Sequence, residues 1–512
     1  MNYKDLSLKL PTDYSEKELR SIISKKINLQ DFSFEILKKS LDARKKGNIF
    51  WLTTVRVFSD NLKGDTFIPY KEFSVPYKKR KERVLIIGSG PAGMFSALIL
   101  QKAGFRVTII ERGADVDDRE RRITQFEQTG VFDSNANYAF GEGGAGTFSD
   151  GKLTSRSKRI SKERAFIMDA YIRAGAPKEI KYLAHPHLGS DNLRKIVKNL
   201  RYEFVADGGM IEFESLVNGL NVQDGIIKSV KTADSEYLAD FLIVASGHSS
   251  YETYRMLMKY GVGFRVKNYA IGSRIEHRQE LINEAQWGVS SLNGVKAAEY
   301  RLTFNIDGFL PVYTFCMCPG GTIVPAAAYK DTNIVNGMSQ YARDGKFANS
   351  ALVAGVNLPK LLGRDISAEE ALIWTRDLER SFYSDRFSAP GCSINDFLHK
   401  SASLSVPAFS GSSYPLNVNP APLWEMFPES ISNSLREGLR SFKGKLEGFE
   451  EGLVMGLESK TSAPVQVLRG PGGLCAGFSN LYMAGEGSGF AGGIISSATD
   501  GISSALEIID QC

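Results

Sequence analysis

Apolar residues first gather at Val84–Ile87, an unbroken run of the kind a strand buried on both faces carries. Gly88, Gly90 and Gly93 interrupt it. Pro91 and Ala92 then open an apolar helix to about Gly104, and Phe105–Ile110 follows as a second buried strand ending at Glu111 and Arg112. The order strand, glycines, helix returns near the C-terminus. There LYMA (Leu481–Ala484) meets Gly485, Glu486, Gly492 and Gly493, and a helix begins near Gly493 or Ile494.

Ahead of the first motif, Leu6–Leu10, Phe32–Leu41 and Ile49–Phe58 read as strands, the last two flanking a turn at Lys45–Asn48. Tyr14–Lys26 reads as a helix with Leu19, Ile22 and Ile23 on one face and Asp13 or Ser15 as N-cap. Beyond Glu111 come a charged helix (Asp117–Gln128) and a second helix (Asp191–Phe204). Met210–Leu216, Ile226–Thr232 and Tyr237–Ala245 are expected to form a three-stranded meander running into the small-residue turn Ala245–Gly247. Residues 265–455 change character, with scattered aromatics, prolines and polar loops.

These patterns predict an α/β chain. A Rossmann-like dinucleotide-binding domain (residues 81–264 and 456–512) accommodates a mixed α+β second domain (265–455), and a small α/β domain (1–80) precedes both. Pro69, Pro76 and the basic run Lys78–Arg83 mark the first boundary. Val84–Leu100 is uncharged but 17 residues long and broken by Pro91 and glycines, below the ~20 of a membrane span.

The glycine spacing carries chemistry. In G-x-G-x-x-G, Gly88 permits the tight turn, Gly90 lets backbone approach a pyrophosphate, and Gly93 lets helix pack on strand. The helix N-terminus then faces the phosphates. Glu111 lies 23 positions past Gly88, near the ~20 expected of a carboxylate that accepts from ribose hydroxyls. A second glycine cluster lies in NYAFGEGGAGTFSDGKLTSR (Asn137–Arg156). With Phe140 and Phe148 interleaved, it reads as an ordered binding loop, with Gly143, Gly144, Asp150 and Lys152 against a ligand.

Charge and cysteine usage narrow the setting. Net charge is +5, yet residues 1–83 alone hold 19 Lys and Arg against 11 Asp and Glu. Such asymmetry marks either a solvated connector or a surface for RNA or an acidic carrier partner. Five scattered cysteines and a charged N-terminus without an apolar core place the chain in a reducing compartment, the cytoplasm by default. Cys316 and Cys318 are spaced poorly for a relaxed disulfide and lack a matching pair for zinc, so no metal is expected and packing is the preferred reading. His277 and Cys318 are the catalytic candidates, His277 set against a structural, hydrogen-bonded histidine.

Gly88–Arg112, the turn Ala245–Gly247 and Gly485–Ile494 together resemble the FAD domain of two-domain flavoproteins, the superfamily of glutathione-reductase-like, fumarate-reductase-like and hydroxylase enzymes. GEGGAGTFSDGKL, RIEH (Arg274–His277), FCMCPGG, TSAPVQVLR (Thr461–Arg469) and AGEGSGFAGGI resemble a bacterial family of uncharacterised FAD-dependent dehydrogenases over essentially the whole chain. The resemblance implies FAD, its ADP part held by the first motif and its ribityl chain and ring met by Gly485–Ile494. The superfamily's usual Asp is Glu486 here. It also implies that the helix N-terminus at Ile494 favours negative charge on reduced flavin, with Lys152 as a nearby cation.

The expected activity is hydride transfer between flavin and a small organic substrate held against residues 265–455. Flavin-dependent oxygenation, and a flavoprotein serving RNA or an acidic carrier through residues 1–83, are the competing readings. No second nucleotide fingerprint follows Gly113, so electrons are expected from the substrate itself or exchanged with a protein donor or acceptor, in place of a dedicated NAD(P)H domain.

Overall fold

The strand Arg83–Ile87 lies at the centre of a five-stranded, wholly parallel sheet. Phe241–Val244 and then Leu481–Met483 flank it on one side, Arg106–Ile110 and then Met210–Glu212 on the other. A computed structural model describes residues 2–67, 73–154, 161–401 and 411–512. The boundary residue Pro69 and the loop's last two residues, Ser155 and Arg156, lie outside the described residues. The helices Pro91–Lys102 and Ile494–Gln511 pack against each other beside the sheet, with Gly501 pressed on the Ala92 carbonyl. They and the sheet share a core of Val84, Ile86, Phe95, Leu98, Ile243 and Ile502.

The expected meander is corrected. Met210–Glu212 adds to the parallel sheet as its edge, and Phe241–Val244 enters the sheet's interior. The separate three-stranded sheet is Gly219–Gln223, Ile226–Lys231 and Glu236–Leu238. Local apolar alternation identifies strands, whereas pairing partners are fixed by the distant crossover, which periodicity does not encode.

Between the two visits to the parallel sheet stands a seven-stranded sheet. Its long central strands, Tyr269–Arg278 and Phe347–Val356, pair antiparallel along their whole length. Val312–Cys318 flanks the second of them and Leu453–Glu458 the first.

At the N-terminus, Asn2–Leu10, Ser33–Asp42, Phe50–Ser59 and Asp65–Thr66 form a four-stranded sheet covered by the helix Glu16–Ile27. Ser15 caps that helix in a reciprocal box with Glu18. The edge strand continues into the body, since Lys39 N–H donates to the Tyr182 carbonyl (2.8 Å) and Ala184 N–H to the Lys39 carbonyl (2.9 Å). Trp51 is half-buried there, its indole N–H donating to Thr12 and its face under the Lys39 ammonium.

Candidate functional site

One cavity of about 1650 Å³ runs from the glycine turn after Ile87 to the strand Val312–Cys318 of the seven-stranded sheet. Gly88, Gly90, Pro91 and Ala92 wall its near end. Gly88 has φ +101, and a Cβ there would meet the Ala245 carbonyl oxygen at 2.5 Å, so this turn and Ala245 are in close contact. Gly93 lies off the cavity, where a Cβ would strike the Gly88 carbonyl at 1.9 Å, as close helix-on-strand packing requires.

Glu111 and Arg112 also line the cavity, with different consequences. The Glu111 carboxylate accepts from Ser89 N–H and Oγ–H at 2.8 Å each, Gly113 N–H at 2.9 Å and Gly141 N–H at 3.2 Å. These fill the roughly four acceptor sites of a carboxylate. The ribose role expected from spacing therefore finds no free lone pair in this arrangement, and Glu111 instead ties the first turn to the glycine loop. Arg112 pairs with Glu252 (2.9 Å) and lies over the Phe140 ring, leaving its Nε buried without a partner.

The loop is ordered by a residue the sequence pattern hid. Arg119, on the charged helix Val116–Thr129, is fully buried. Its guanidinium donates to the carbonyls of Asn137, Tyr138, Gly141, Glu142 and Gly144. Burial pulls its pKa down to about 10, still charged at neutrality. Gly144 lines the cavity, whereas Gly143 faces away against Val197 and Thr147. Asp150 is likewise behind the wall, fully buried, holding Lys152 and Arg343 at 2.5 Å each and accepting from Ser339. Burial opposes its charge, but Lys152 and Arg343 hold its carboxyl far below the ordinary range. Lys152 reaches the cavity and donates to the Met317 carbonyl, so it is no exposed loop lysine.

At the C-terminal turn, Gly485, Glu486, Gly492, Gly493 and Ile494 complete the wall beside Ala245 and Gly247. Gly487 packs on Gly247, whose carbonyl a Cβ would meet at 2.5 Å. Glu486 accepts from Gly493 N–H at 2.6 Å and sits against His248 Nδ1. Burial raises and His248 lowers the Glu486 pKa, and the balance falls below the usual carboxylate value. His248 had no motif to announce it, and its Nε2 is buried on the cavity wall without a partner.

The two catalytic candidates are corrected. His277 is buried off the cavity, its Nε2 bonded to the Phe449 carbonyl (2.8 Å) and its ring against Phe449 and Tyr300. Cys318 is fully buried, and it is Cys316 that reaches the cavity.

The wall fits a long ligand with a diphosphate. Beta carbons at Gly247, Gly492 and Gly493 would meet nothing within 4 Å, so the wall there is bare backbone. The helices at Pro91 and Ile494 begin without side-chain caps, leaving N–H groups unspent. Arg112 and His248 both line this stretch of the wall. A family model for a FAD binding domain matches residues 81–134, and one described as FAD-dependent protein, C-terminal domain-like, matches 268–461. A domain of unknown function matches 2–58. An uncharacterized protein of Clostridium beijerinckii is 38% identical over 530 residues, covering 99% of this chain and 98% of that protein.

The chain belongs to that protein's family, a family of FAD-dependent flavoproteins.

This flavoprotein also matches flavin-containing monooxygenase FMO GS-OX-like 8 of Arabidopsis thaliana, at 28% identity over 191 residues, 34% of this chain and 38% of that one. Among solved structures, CtdE in complex with FAD overlaps at 11% identity and a TM-score of 0.37, covering 85% of each chain. A geranylgeranyl bacteriochlorophyll reductase-like protein of Thermoplasma acidophilum overlaps at 12% identity and a TM-score of 0.38, covering 85% of this chain and 79% of that one. Among the described residues, no helix is long and apolar enough to cross a membrane.

Proposed function

We propose that this flavoprotein is a dehydrogenase or reductase that moves hydride between FAD and a small organic substrate. The observation that carries the reading is the extent of the cavity. At about 1650 Å³ it exceeds the ~300–1,000 Å³ of a single-ligand pocket and continues past the glycine turns. Its far wall comes from the second sheet, through Thr314, Phe315 and Glu458, and from the adjoining segments, through Tyr300 and Lys460. On this reading Gly88–Ala92 hold the diphosphate, Arg112 and His248 supply polar contacts, and Gly485–Ile494 receive the ribityl chain and ring. FAD supplies the redox chemistry when bound. The chain's own residues position it, exclude water with Phe140 and Phe304, and present Lys152 as a cation along the wall.

Anaerobic mixing of the purified yellow protein with a metabolite panel tests this. Bleaching of the flavin by one compound class, with a matching product, supports the reading. Reduced flavin that consumes oxygen and yields a hydroxylated or S-oxygenated product replaces it with the monooxygenase reading.

A further inference from the structure

Val312–Cys318 carries two cysteines where it meets the cavity. In an undisturbed strand, positions two apart share one face. This strand is disturbed. Its pairing with Phe347–Val356 slips between Phe315 and Cys318, and Cys316 takes φ +44, the left-handed region a non-glycine residue seldom occupies. One thiol is thereby set on the cavity wall, with the other fully buried behind it. Cys318 Sγ lies 3.4 Å from the Cys316 carbonyl oxygen and 3.4 Å from Arg274 Nη2.

The charges around the pair come from four elements. Arg274, on Tyr269–Arg278, is paired at 2.9 Å with Glu458 on Leu453–Glu458. Lys152 and Asp150 arrive with the glycine loop, and Lys152 donates to the carbonyl of Met317, the residue between the two thiols. Arg343 closes on Asp150 from the following loop. Arg343 also lies 3.8 Å from Glu299, so three cations face three carboxylates, one of which, Glu458, burial pushes up to about 7. A hydrogen bond from Cys318, assisted by Lys152 and Arg274, lowers the Cys316 pKa while that of Cys318 rises.

Cys392 and Cys475 show what cysteines that only fill space look like in this chain. Both are buried, and burial pushes their thiols up to about 12. Cys318 shares that burial and that upward shift, whereas Cys316 reaches the cavity wall and its thiol is shifted downward.

We propose that Cys316 and Cys318 form a redox-active dithiol that reduces a small disulfide admitted to the cavity. The Cys316 thiolate attacks one sulfur of RS–SR. A Cys316–SR bond forms, the RS–SR bond breaks, and the departing thiolate takes a proton from water. Cys318 gives up its proton, its sulfur attacks Cys316 Sγ, and the second RS⁻ leaves and is protonated. Two electrons pass from the cysteine pair to the small disulfide, leaving one Cys316–Cys318 disulfide and two RSH. A bridge across so short a spacing is strained and hence readily reversed by thiols. The assignment does not depend on the hydride chemistry proposed above.

Holoprotein carrying Cys512→Ser, which removes the partly exposed terminal thiol, is incubated with hydroxyethyl disulfide and digested for mass spectrometry. The peptide bearing both cysteines should lose two hydrogens and retain no adduct. Cys318→Ser should instead trap one mercaptoethanol adduct on Cys316, and Cys316→Ser should leave Cys318 unmodified. FAD absorbance of each variant reports folding independently. In Lys152→Met, the pH midpoint for modification of Cys316 should move upward. A native chain that keeps the adduct on Cys316, or reacts only once denatured, overturns the proposal, and an unmoved midpoint overturns the role of Lys152.

Discussion

His248 Nδ1 lies 3.2 Å from Glu486 Oε2, joining the turn after Val244 to the turn after Met483 across two neighbouring parallel strands. The other Glu486 oxygen holds Gly493 N–H, so one carboxylate sets both the turn and the start of the last helix. Glu486→Ala should weaken FAD retention by the loss of a charge-assisted hydrogen bond, about 1.5–3 kcal/mol, or roughly ten- to a hundredfold in affinity. Glu486→Gln should lose less. Fluorescence titration of the apoprotein with FAD measures both, and equal affinity in Glu486→Ala would show that the turn holds without its carboxylate.

Gly90→Val should abolish FAD binding with little loss of fold. The space ahead of a Cβ there ends on Gly144 at 3.7 Å, in the gap between two glycine turns on the cavity wall. A branched side chain fills the place of the diphosphate. Colourless, folded protein by circular dichroism is the expected result.

Arg119→Met should be among the most damaging single changes in the chain. It removes donors from five carbonyls, most of them buried, and each unsatisfied group costs about 1–3 kcal/mol. Denaturant unfolding should show a loss of at least roughly 3 kcal/mol with FAD release. Arg119→Lys, with three donors for five acceptors, should recover only part.

Mild acid should weaken the fold through its buried histidines, opposed by Glu458, whose pKa burial raises to about 7 so that the folded chain takes up a proton there first. Burial lowers the pKa of His277 to about 4 and, with Arg343 adding, that of His187 to about 3, against 6.5 for the free side chain. Below pH 6.5 the two histidines take up protons in the unfolded chain and not in the folded one, so their contribution to stability falls as pH drops from 6.5 toward 4. Each histidine should cost about 2 kcal/mol between pH 7 and pH 5. Urea midpoints at the two pH values measure the sum. In His277→Gln the change between the two pH values should lose that histidine's share of about 2 kcal/mol.

Nicotinamide nucleotides should be poor reductants of this flavin. RGPGGLCAG (Arg469–Gly477), the glycine-rich stretch that comes nearest to a second fingerprint, forms a single 3-10 turn at Pro471–Gly473 and opens no long helix. Stopped-flow mixing with NADH and NADPH should give slow, unsaturating bleaching. Fast saturation at micromolar nucleotide would establish a dedicated site.

Strand, glycine turn and helix at Val84–Lys102 and Leu481–Gln511 were legible because their signals are local: an apolar run, a forced φ and an uncapped helix start. The placement of Gly90, Gly247, Gly493 and Ile494 along one wall follows from two such units meeting in one parallel sheet. Arg119 was illegible because a helix with acids and bases on half its positions has the pattern of a solvated face, and only the incoming loop buries it. Glu111 was legible as a position, but its bonds to Gly113 and Gly141 were not, since they come from segments whose approach no spacing encodes. Cys316 was hidden by a register slip. In a regular strand it would share the fate of Cys318.

Lys39 makes the N-terminal sheet a strut. Its two backbone bonds to Tyr182 and Ala184 clamp a segment whose next residues, His185 and Pro186, wall the cavity. A chain begun after that sheet would leave the Tyr182 carbonyl and the Ala184 N–H without their partners and the segment entering the cavity wall untethered. Shortening the protein for convenience would thus loosen a cavity wall from a point far outside the cavity.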